Sequence, residues 1–282
     1  MLPVADVRIR TGTPATIAGQ LYDQEGDPIT PTVAVTVGVV DLAGDEIEAP
    51  GTATATPTTA PTVRTVELEA VAEPDLLTAT WTDGTTTSTT LVEVAGRHYA
   101  GPQAIRASDP ALADPATYPD ERLIQARRAV EDEFERVIGY ALVPRVGLVE
   151  ALVDEAPALV LPHLEARTIR SATLDGVAID TELNPETGRV TFAGYAATGL
   201  LRIVYTHGLE RPTGEALEAF YTRARDVLHR DNRGLSDRMT TFTSDIGGTY
   251  ALAVAGRNGS LTGIPDVDVV LRGLRRVTPG IA

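Results

Sequence analysis

The fold of the N-terminal part of the chain is decided by the stretch Leu76-Leu77-Thr78-Ala79-Thr80-Trp81-Thr82-Asp83-Gly84-Thr85-Thr86-Thr87-Ser88-Thr89-Thr90-Leu91-Val92-Glu93-Val94. Two β-prone runs, residues 76–82 and 86–94, flank the dipeptide Asp83-Gly84. Asp-Gly between two such runs is typical of a two-residue hairpin turn, because both residue types accept the positive φ that this turn requires. The stretch therefore predicts a β-hairpin.

Other short β-prone runs precede this hairpin, with Pro and Gly between them. They lie at residues 16–22, 33–42, 51–56 and 63–70. Apolar and polar residues alternate in Val66-Glu67-Leu68-Glu69-Ala70, as in a strand that buries one face. Short strands at this spacing predict a β-sandwich of immunoglobulin type, without its disulfide, over residues 1–98. We expect the single tryptophan, Trp81, to fill the sandwich core; a carbohydrate-stacking tryptophan is the alternative.

The composition excludes several classes of function. The 282 residues are 43% hydrophobic, which is enough for two domains with cores of their own. A formal net charge of -15 disfavours non-specific binding to nucleic acid or to an anionic membrane. The absence of cysteine excludes disulfides and thiolate chemistry. We expect no membrane partner, since no stretch is apolar enough to span a bilayer, and no secretory leader at the start of the chain.

Two amphipathic helices are predicted in the rest of the chain. The first begins near Pro119, carries Asp120 and Glu121 in its first turn, and ends at Gly139. The second spans residues 213–233 and ends in basic residues. Apolar side chains recur along one face of each helix at three- and four-residue spacing. They are Leu123, Ala126, Val130, Phe134 and Val137 in the first helix, and Leu217, Phe220, Ala224, Val227 and Leu228 in the second.

The segments between and after these helices have different characters. Residues 99–118 contain several X-Pro pairs and are interpreted as a linker. Residues 142–206 return to β-prone sequence, with a second hairpin turn at Asp175-Gly176. Residues 256–282 form a glycine-rich arm that we expect to be flexible, and a short helix over residues 264–276 has a basic end.

These patterns predict an α+β fold. An N-terminal immunoglobulin-like β-sandwich (residues 1–98) and a linker (99–118) precede a second domain (119–282). In that domain, a small helical bundle with inserted β-strands is followed by the flexible C-terminal arm.

The sequence offers little catalytic chemistry. Its four histidines lie more than four residues apart, so no metal-binding helix of the His-x-x-x-His type is present, and we expect no metal and no cofactor. The acidic run at residues 131–135 is interpreted as a solvated helix face. His207, at the end of a predicted strand, is the one candidate for a hydrolase that would use a histidine and a nearby carboxylate. We expect the chain not to be an enzyme.

Residues 118–277 resemble the head-to-tail adaptor proteins of long-tailed phages, also called head completion or connector proteins, and most of all those of phages that infect actinobacteria. Three stretches carry the resemblance, and the third is the most specific. They are Pro119-Asp120-Glu121-Arg122-Leu123-Ile124-Gln125-Ala126-Arg127-Arg128-Ala129-Val130-Glu131, Val204-Tyr205-Thr206-His207-Gly208 with Pro212 after it, and Thr262-Gly263-Ile264-Pro265-Asp266-Val267-Asp268-Val269-Val270-Leu271.

This resemblance implies a structural virion protein of the phage neck, made in the host cytoplasm. Such adaptors form a ring, usually a dodecamer, beneath the portal protein; the ring extends the DNA channel and contacts a stopper or the next neck or tail protein. DNA would pass without specific binding. The implied portal-docking residues are Ile264, Val267, Leu271, Arg272, Leu274, Arg275 and Arg276. The implied ring-body residues are Leu123, Val130, Phe134, Leu217, Phe220 and Val227.

One alternative keeps the β-sandwich as the functional part. In that hypothesis the chain is a surface-binding module whose sandwich recognises a glycan or another virion protein. Residues 1–98 alone would then bind a ligand, and the C-terminal arm would be dispensable. A stopper or tail terminator is the nearest rival within the neck class, but those proteins are usually small β-barrels without long helices.

Overall fold

The structure is a computed structural model, and it describes residues 5–55, 62–193, 196–230, 241–244, 248–251 and 261–275. It has the mixed α+β character that the sequence predicts. The chain forms two compact units, each made of separated segments. Residues 1–97 and 143–209 belong to the β unit, and residues 98–142 and 210–282 belong to the helical unit.

The first part of the β unit is a β-sandwich. Its strands are β1 (Val7–Arg10), β2 (Ala15–Gln20), β3 (Thr36–Val40), β4 (Glu46–Thr52), β5 (Thr54–Ala55), β6 (Val63–Leu68), β7 (Asp75–Thr82) and β8 (Thr87–Ala95). One sheet has the order β1-β8-β7-β3-β4 and the other has the order β2-β6-β5. Strand β1 runs parallel to β8, whereas the other pairs are antiparallel.

The core of the sandwich lies between these sheets and is centred on Trp81. This side chain is fully buried, and its Nε1 donates a hydrogen bond of 3.1 Å to Thr90 Oγ1. A Cβ at Gly19 would lie 2.1 Å from the Trp81 ring, so the indole occupies the space that a larger residue would need. The predicted core role of Trp81 is confirmed. Because the ring is buried, it is not available to stack on a carbohydrate.

The turn between β7 and β8 lies at Asp83-Gly84, as the sequence predicts, but it is a four-residue loop over residues 83–86 rather than a two-residue turn. Asp83 accepts hydrogen bonds from the backbone N–H groups of Thr85 and Thr86, and Gly84 has a φ of 92°. These bonds lower the pKa of Asp83, with the bond from Thr86 contributing most. Asp175 and Gly176 form the second predicted turn, and both have positive φ.

The second part of the β unit follows in the chain after the first long helix. Its strands are β9 (Arg145–Ala156), β10 (Ala158–Val160), β11 (Ala166–Leu174), β12 (Val177–Ala178), β13 (Thr181–Asn184), β14 (Arg189–Phe192) and β15 (Ala197–His207). One sheet has the order β12-β11-β15-β9, and the other has the order β10-β14-β13. Leu201, Ile203 and Tyr205 of the central strand β15 are fully buried in the core of this part.

Apolar and polar contacts join the two parts of the β unit. Ala5 and Leu76 of the sandwich share a small buried cluster with Val146 and Val204. Beside this cluster, Arg170 donates to the carboxylate of Asp75 at 2.9 Å. The sandwich is therefore built into a larger unit rather than standing alone.

The helical unit combines helices from both sides of the inserted β-strands. They are α1 (Pro102–Ala107), α2 (Asp120–Ile138), α3 (Gly214–His229) and α4 (Pro265–Leu274), with a short 3-10 helix (Pro110–Leu112) and a hairpin of β16 (Thr241–Ser244) and β17 (Gly248–Ala251). Helix α2 ends where Gly139 adopts the left-handed conformation. The Thr213 side chain caps α3 by accepting from Ala216 N.

The core of the helical unit uses most of the apolar positions that the sequence predicts. Leu123, Val130 and Phe134 of α2 are fully buried, and so is Phe220 of α3. The remaining ring-body candidates, Leu217 and Val227, are half-buried. These side chains support the subunit's own core, and their part in a ring stays a prediction.

The interpretation of residues 99–118 as a linker is wrong. Ile105 and Leu112 are fully buried in this segment. Arg106 holds it together by donating to the carbonyl oxygens of Leu112 and Tyr118 and to Asp120 Oδ1. Pro102 and Pro110 mislead because they stand in the first turns of α1 and the 3-10 helix, where a missing N–H costs nothing.

The acidic run of α2 is also not the solvated face that the sequence suggests. Glu131 is fully buried and accepts a hydrogen bond of 2.8 Å from Tyr99 N. Glu133 accepts two hydrogen bonds from Arg223 of α3, at 2.8 and 3.0 Å. Burial acts to lower the pKa of Arg223, but Glu133 and Asp226 outweigh it and raise that pKa. This pairing joins α2 to α3.

Candidate docking surface on the C-terminal helix

The segment that carries the most specific part of the resemblance folds into a closed turn followed by α4. The carboxylate of Asp268 reaches back to the turn, where Oδ2 accepts from Leu261 N at 2.9 Å and Oδ1 accepts from Thr262 N at 2.8 Å. The Thr262 hydroxyl also donates to Asp268 Oδ1, at 2.7 Å. Gly263 has a φ of 87°, which glycine adopts without strain. Thr262, Gly263 and Asp268 of this stretch thus each have a structural role.

Sequence reasoning missed this role of Asp268. By position in the sequence Asp266 and Asp268 look alike, because both stand in the first turn of α4, at the positive end of the helix dipole. In the structure only Asp266 is exposed, whereas Asp268 is buried and bonded to the turn. The spacing of Thr262 and Asp268 on either side of Ile264-Pro265 is the signal that could have revealed the pairing.

Helix α4 has one buried face and one exposed face. Val267 and Leu271 are buried, and α4 contacts both α2 and α3. Arg272, Gly273 and Val269 are exposed, with Val269 retaining 66% of its accessible surface. Of the remaining docking candidates, Arg275 is exposed, Ile264 and Leu274 are half-buried, and Arg276 lies outside the described residues.

This arrangement corrects one part of the docking expectation. Val267 and Leu271 were expected to offer their side chains to a partner, but they complete the core of their own helical unit. The physical reason is that a ten-residue amphipathic helix buries its apolar stripe wherever a complementary face exists, and α2 and α3 provide that face. Residues 261–275 are consequently an anchored part of the subunit. Residues 256–260 and 276–282 of the expected arm lie outside the described residues.

His207, the candidate for a catalytic histidine, lies in a buried cluster of the β unit. Its ring stacks on that of His163 with centroids 4.1 Å apart, and the His163 ring hydrogen bonds to the hydroxyl of Tyr205. Burial, followed by the nearby His163 and Arg145, lowers the pKa of His207 to about 3. Its Nδ1 has no hydrogen-bond partner among the described residues. A histidine with so low a pKa is a weak general base, which counts against the hydrolase hypothesis.

A second histidine contact, which the sequence did not predict, lies in the helical unit. His229, the last residue of α3, lies 3.1 Å from the Tyr118 hydroxyl through Nδ1 and 3.2 Å from Asp109 Oδ2 through Nε2. Asp109 also accepts from Ala111 N, and this bond is the main reason that the pKa of Asp109 is lowered. The contact ties the end of α3 to the segment before α2, so its evident task is structural.

Other kinds of site are not found in the described part of the chain. Within these residues no group of three or more His, Asp or Glu side chains is arranged to hold a metal ion. None of the helices described is both long enough and apolar enough to cross a lipid bilayer.

Comparison with known proteins gives structural likenesses only. No protein-family model matches the chain, and no curated protein matches it. Among solved structures, it is similar to a chain from the neck of an empty gene transfer agent particle, with 15% identity, a TM-score of 0.44, and coverage of 65% of this chain and 93% of that one. It is also similar to a chain from the virion of a native gene transfer agent particle, with 14% identity, a TM-score of 0.46 and the same coverage. Likenesses at this level carry no argument about function.

Proposed function

We propose that this chain is a structural protein of a phage neck that forms a ring under the portal, extends the DNA channel and joins head to tail. The proposal rests first on the sequence resemblance to head-to-tail adaptors. The single observation that supports it best is the folding of residues 261–274 into one bonded turn and helix. The most distinctive part of the resemblance is therefore a built feature of this fold, with one face left exposed.

Because Val267 and Leu271 are buried, we assign the docking role to the exposed side of α4. Arg272 and Arg275 are exposed, and Ile264 and Leu274 keep part of their surface. Arginine suits such a role because its planar guanidinium can form paired hydrogen bonds with carboxylates of a partner. We propose that these residues contact the portal protein, together with Arg276 from outside the described range, while Val267 and Leu271 hold α4 in place.

The remaining partners follow from the same proposal. Copies of the chain would form the ring, usually a dodecamer in such adaptors, and the ring would contact a stopper or the next neck or tail protein. A net charge of -15 favours passage of DNA without specific binding, because like charges repel the phosphates. The location would be the neck of the virion, after synthesis in the host cytoplasm. This role requires no enzyme activity and no cofactor.

We further propose that the N-terminal sandwich is of immunoglobulin type. The orders β1-β8-β7-β3-β4 and β2-β6-β5 support this, because immunoglobulin sandwiches divide their strands between two sheets in this manner. Burial of Trp81 removes the best candidate for a carbohydrate-stacking residue, and this counts against the alternative in which the sandwich binds a glycan. Recognition of another virion protein by the sandwich remains compatible with its exposed loops.

Charge reversal on α4 tests the docking role. The double variant Arg272→Glu/Arg275→Glu should fold normally, because both positions are exposed, and it should fail to join portal-containing heads. The amount of this chain in purified heads, measured against the portal protein, gives the result. Deletion of residues 260–282 is a poorer test, because it would also remove the buried Val267 and Leu271.

A matched control separates docking from general charge effects. Arg189→Glu/Arg211→Glu changes two exposed arginines elsewhere by the same charge and should leave incorporation normal. Normal incorporation of the α4 variant would overturn the docking role. Absence of the wild-type chain from heads and necks would overturn the neck assignment itself.

A further inference from the structure

An open apolar groove runs between the first turns of α3 and α4. Its volume is about 450 Å³, and its apolar floor is formed by Ala219, Val267 and Val270. The wall from α3 carries residues 215, 218, 219 and 222, a helical stripe that extends over two turns, or about 10 Å. The groove is thus long enough for a short peptide segment.

Carboxylates surround this apolar floor. Glu215 and Glu218 stand on the α3 side and Asp266 stands on the α4 side. All three are exposed, and none takes part in an ion pair in the described part of the chain. A groove with an apolar floor and an anionic rim repels nucleic acid and favours a cationic partner.

Helix capping accounts for only part of this charge. Acidic residues near a helix N-terminus complement the dipole, and Glu215 and Asp266 stand in the first turns of their helices. Glu218 lies beyond the first turn of α3, where the dipole contributes little. The Thr213 side chain already caps α3. The dipole therefore does not account for Glu218, and together the three carboxylates give the rim of the groove a negative charge.

We propose that this groove is a docking site for a cationic segment of a partner protein, with an aliphatic side chain as its anchor. The aliphatic side chain would lie against Ala219 and Val270, and arginine or lysine residues of the segment would pair with the carboxylates at the rim. Small residues in the α3 wall, Gly214 and Ala219, leave room for this anchor. This inference rests on the proposed function, and it gives the neck protein a second partner contact beside the exposed face of α4.

The site can be tested on the isolated chain by fluorescence anisotropy. The probe is a short labelled peptide with leucine anchors and arginines at helical spacing. Two matched peptides replace either every arginine with glutamate or every leucine with alanine. We expect saturable binding of the first peptide only, and binding about tenfold weaker to the variant Glu215→Gln/Glu218→Gln. Val270→Ala should weaken it as well, by loss of apolar contact.

The control is Glu182→Gln/Glu186→Gln, which removes two exposed carboxylates from the β unit and should leave binding unchanged. Absence of saturable binding to the wild-type chain would overturn the site, as would equal binding of the glutamate peptide or equal loss in the control. Self-association in sedimentation that only the groove variants abolish would show a second copy as the occupant and would also overturn it. None of these results depends on particle assembly, so failure here is distinct from failure of the neck assignment.

Discussion

The β unit and the helical unit bury their apolar side chains in different ways. In the β unit, the sandwich and the second pair of sheets each have a core, and they are joined by a small cluster that includes Leu76 and Val204 and by polar contacts such as that of Arg170 with Asp75. In the helical unit, α2, α3 and α4 all contact one another, and their buried stripes share one core. Loss of one buried contact should therefore destabilise the whole helical unit. In the β unit, the contacts between the two parts can be lost while each part keeps its own core.

The largest expected effect comes from Leu271→Ala in α4. Removal of this fully buried side chain should destabilise the helical unit by about 2–5 kcal/mol, through lost burial and a cavity beside α2 and α3. Calorimetric unfolding gives the measurement. Val269→Ala, two residues away and exposed, is the control and should change stability by less than about 0.5 kcal/mol. Equal effects of the two variants would mean that α4 does not pack in solution as it does here.

Substitution of one arginine in each unit compares how much an ion pair contributes to the stability of that unit. Arg223, with 8% of its side chain exposed, binds Glu133 and Asp226. Arg223→Met should cost about 3 kcal/mol, because it leaves those carboxylates without their cation. Arg170, with 24% exposed, binds Asp75 at the junction of the β unit. Arg170→Met should cost less, about 2 kcal/mol, because the buried Asp75 carboxylate that it leaves behind still accepts hydrogen bonds from Leu42 N and Leu76 N. Chemical denaturation of both variants gives the ranking, and a larger loss for Arg170→Met would reverse it.

Glycine substitutions should have opposite signs in the two units. Gly19→Ala drives a methyl group into the ring of Trp81 and should cost about 1–3 kcal/mol. Gly273→Ala meets open space on α4 and should stabilise the helix by about 0.5–1 kcal/mol. Shifts in melting temperature of opposite sign are the expected result. A stable Gly19→Ala variant would place the indole differently from the position described here.

The smallest effect at neutral pH concerns the His163–His207 stack, because its influence on stability appears only in acid. His207 titrates near pH 3 when folded and near its ordinary value of 6.5 when unfolded. The unfolded chain therefore binds the proton first as the pH falls below about 6.5, and stability is lost between that pH and about 3. The slope reaches at most about 1.4 kcal/mol per pH unit. Denaturation at several pH values should give a flatter dependence for His207→Asn below pH 6.5. Above about pH 6.5 both states hold His207 neutral and its slope is zero, so an unchanged slope below that pH in the variant would contradict the shift.

The parts of the fold that could be predicted from the sequence are those specified by residues close together in the chain. Asp175-Gly176 specifies its turn through two residues that adopt positive φ. At Asp83-Gly84 only Gly84 adopts it, and the Asp83 carboxylate bonds to the turn backbone instead. The stripe of Leu123, Val130 and Phe134 specifies the buried face of α2. Trp81 is the one side chain large enough to fill the centre of a core that is otherwise poor in aromatics.

The features that the sequence did not predict depend on contacts between distant residues. Prolines at helix starts and prolines in linkers look alike in sequence, so the ordered state of residues 99–118 follows only from Ile105 and Arg106 meeting their partners. Burial of Val267 and Leu271 likewise depends on helices more than thirty residues earlier in the chain. The sequence could predict α4 as the element that carries the proposed docking surface, but it could not predict which face of α4 stays exposed.

Because the ribosome synthesises the chain from its N-terminus, the order of the segments sets the order in which the two units can fold. All strands of the β unit are synthesised by residue 209, whereas the helical unit receives α4 only at residue 274. Until then, nascent chains would carry the apolar stripes of α2 and α3 without the cover that Val267 and Leu271 provide. Prematurely terminated copies would thus expose an apolar surface to chaperones and proteases. Only copies that contain α4 would have this surface covered before assembly.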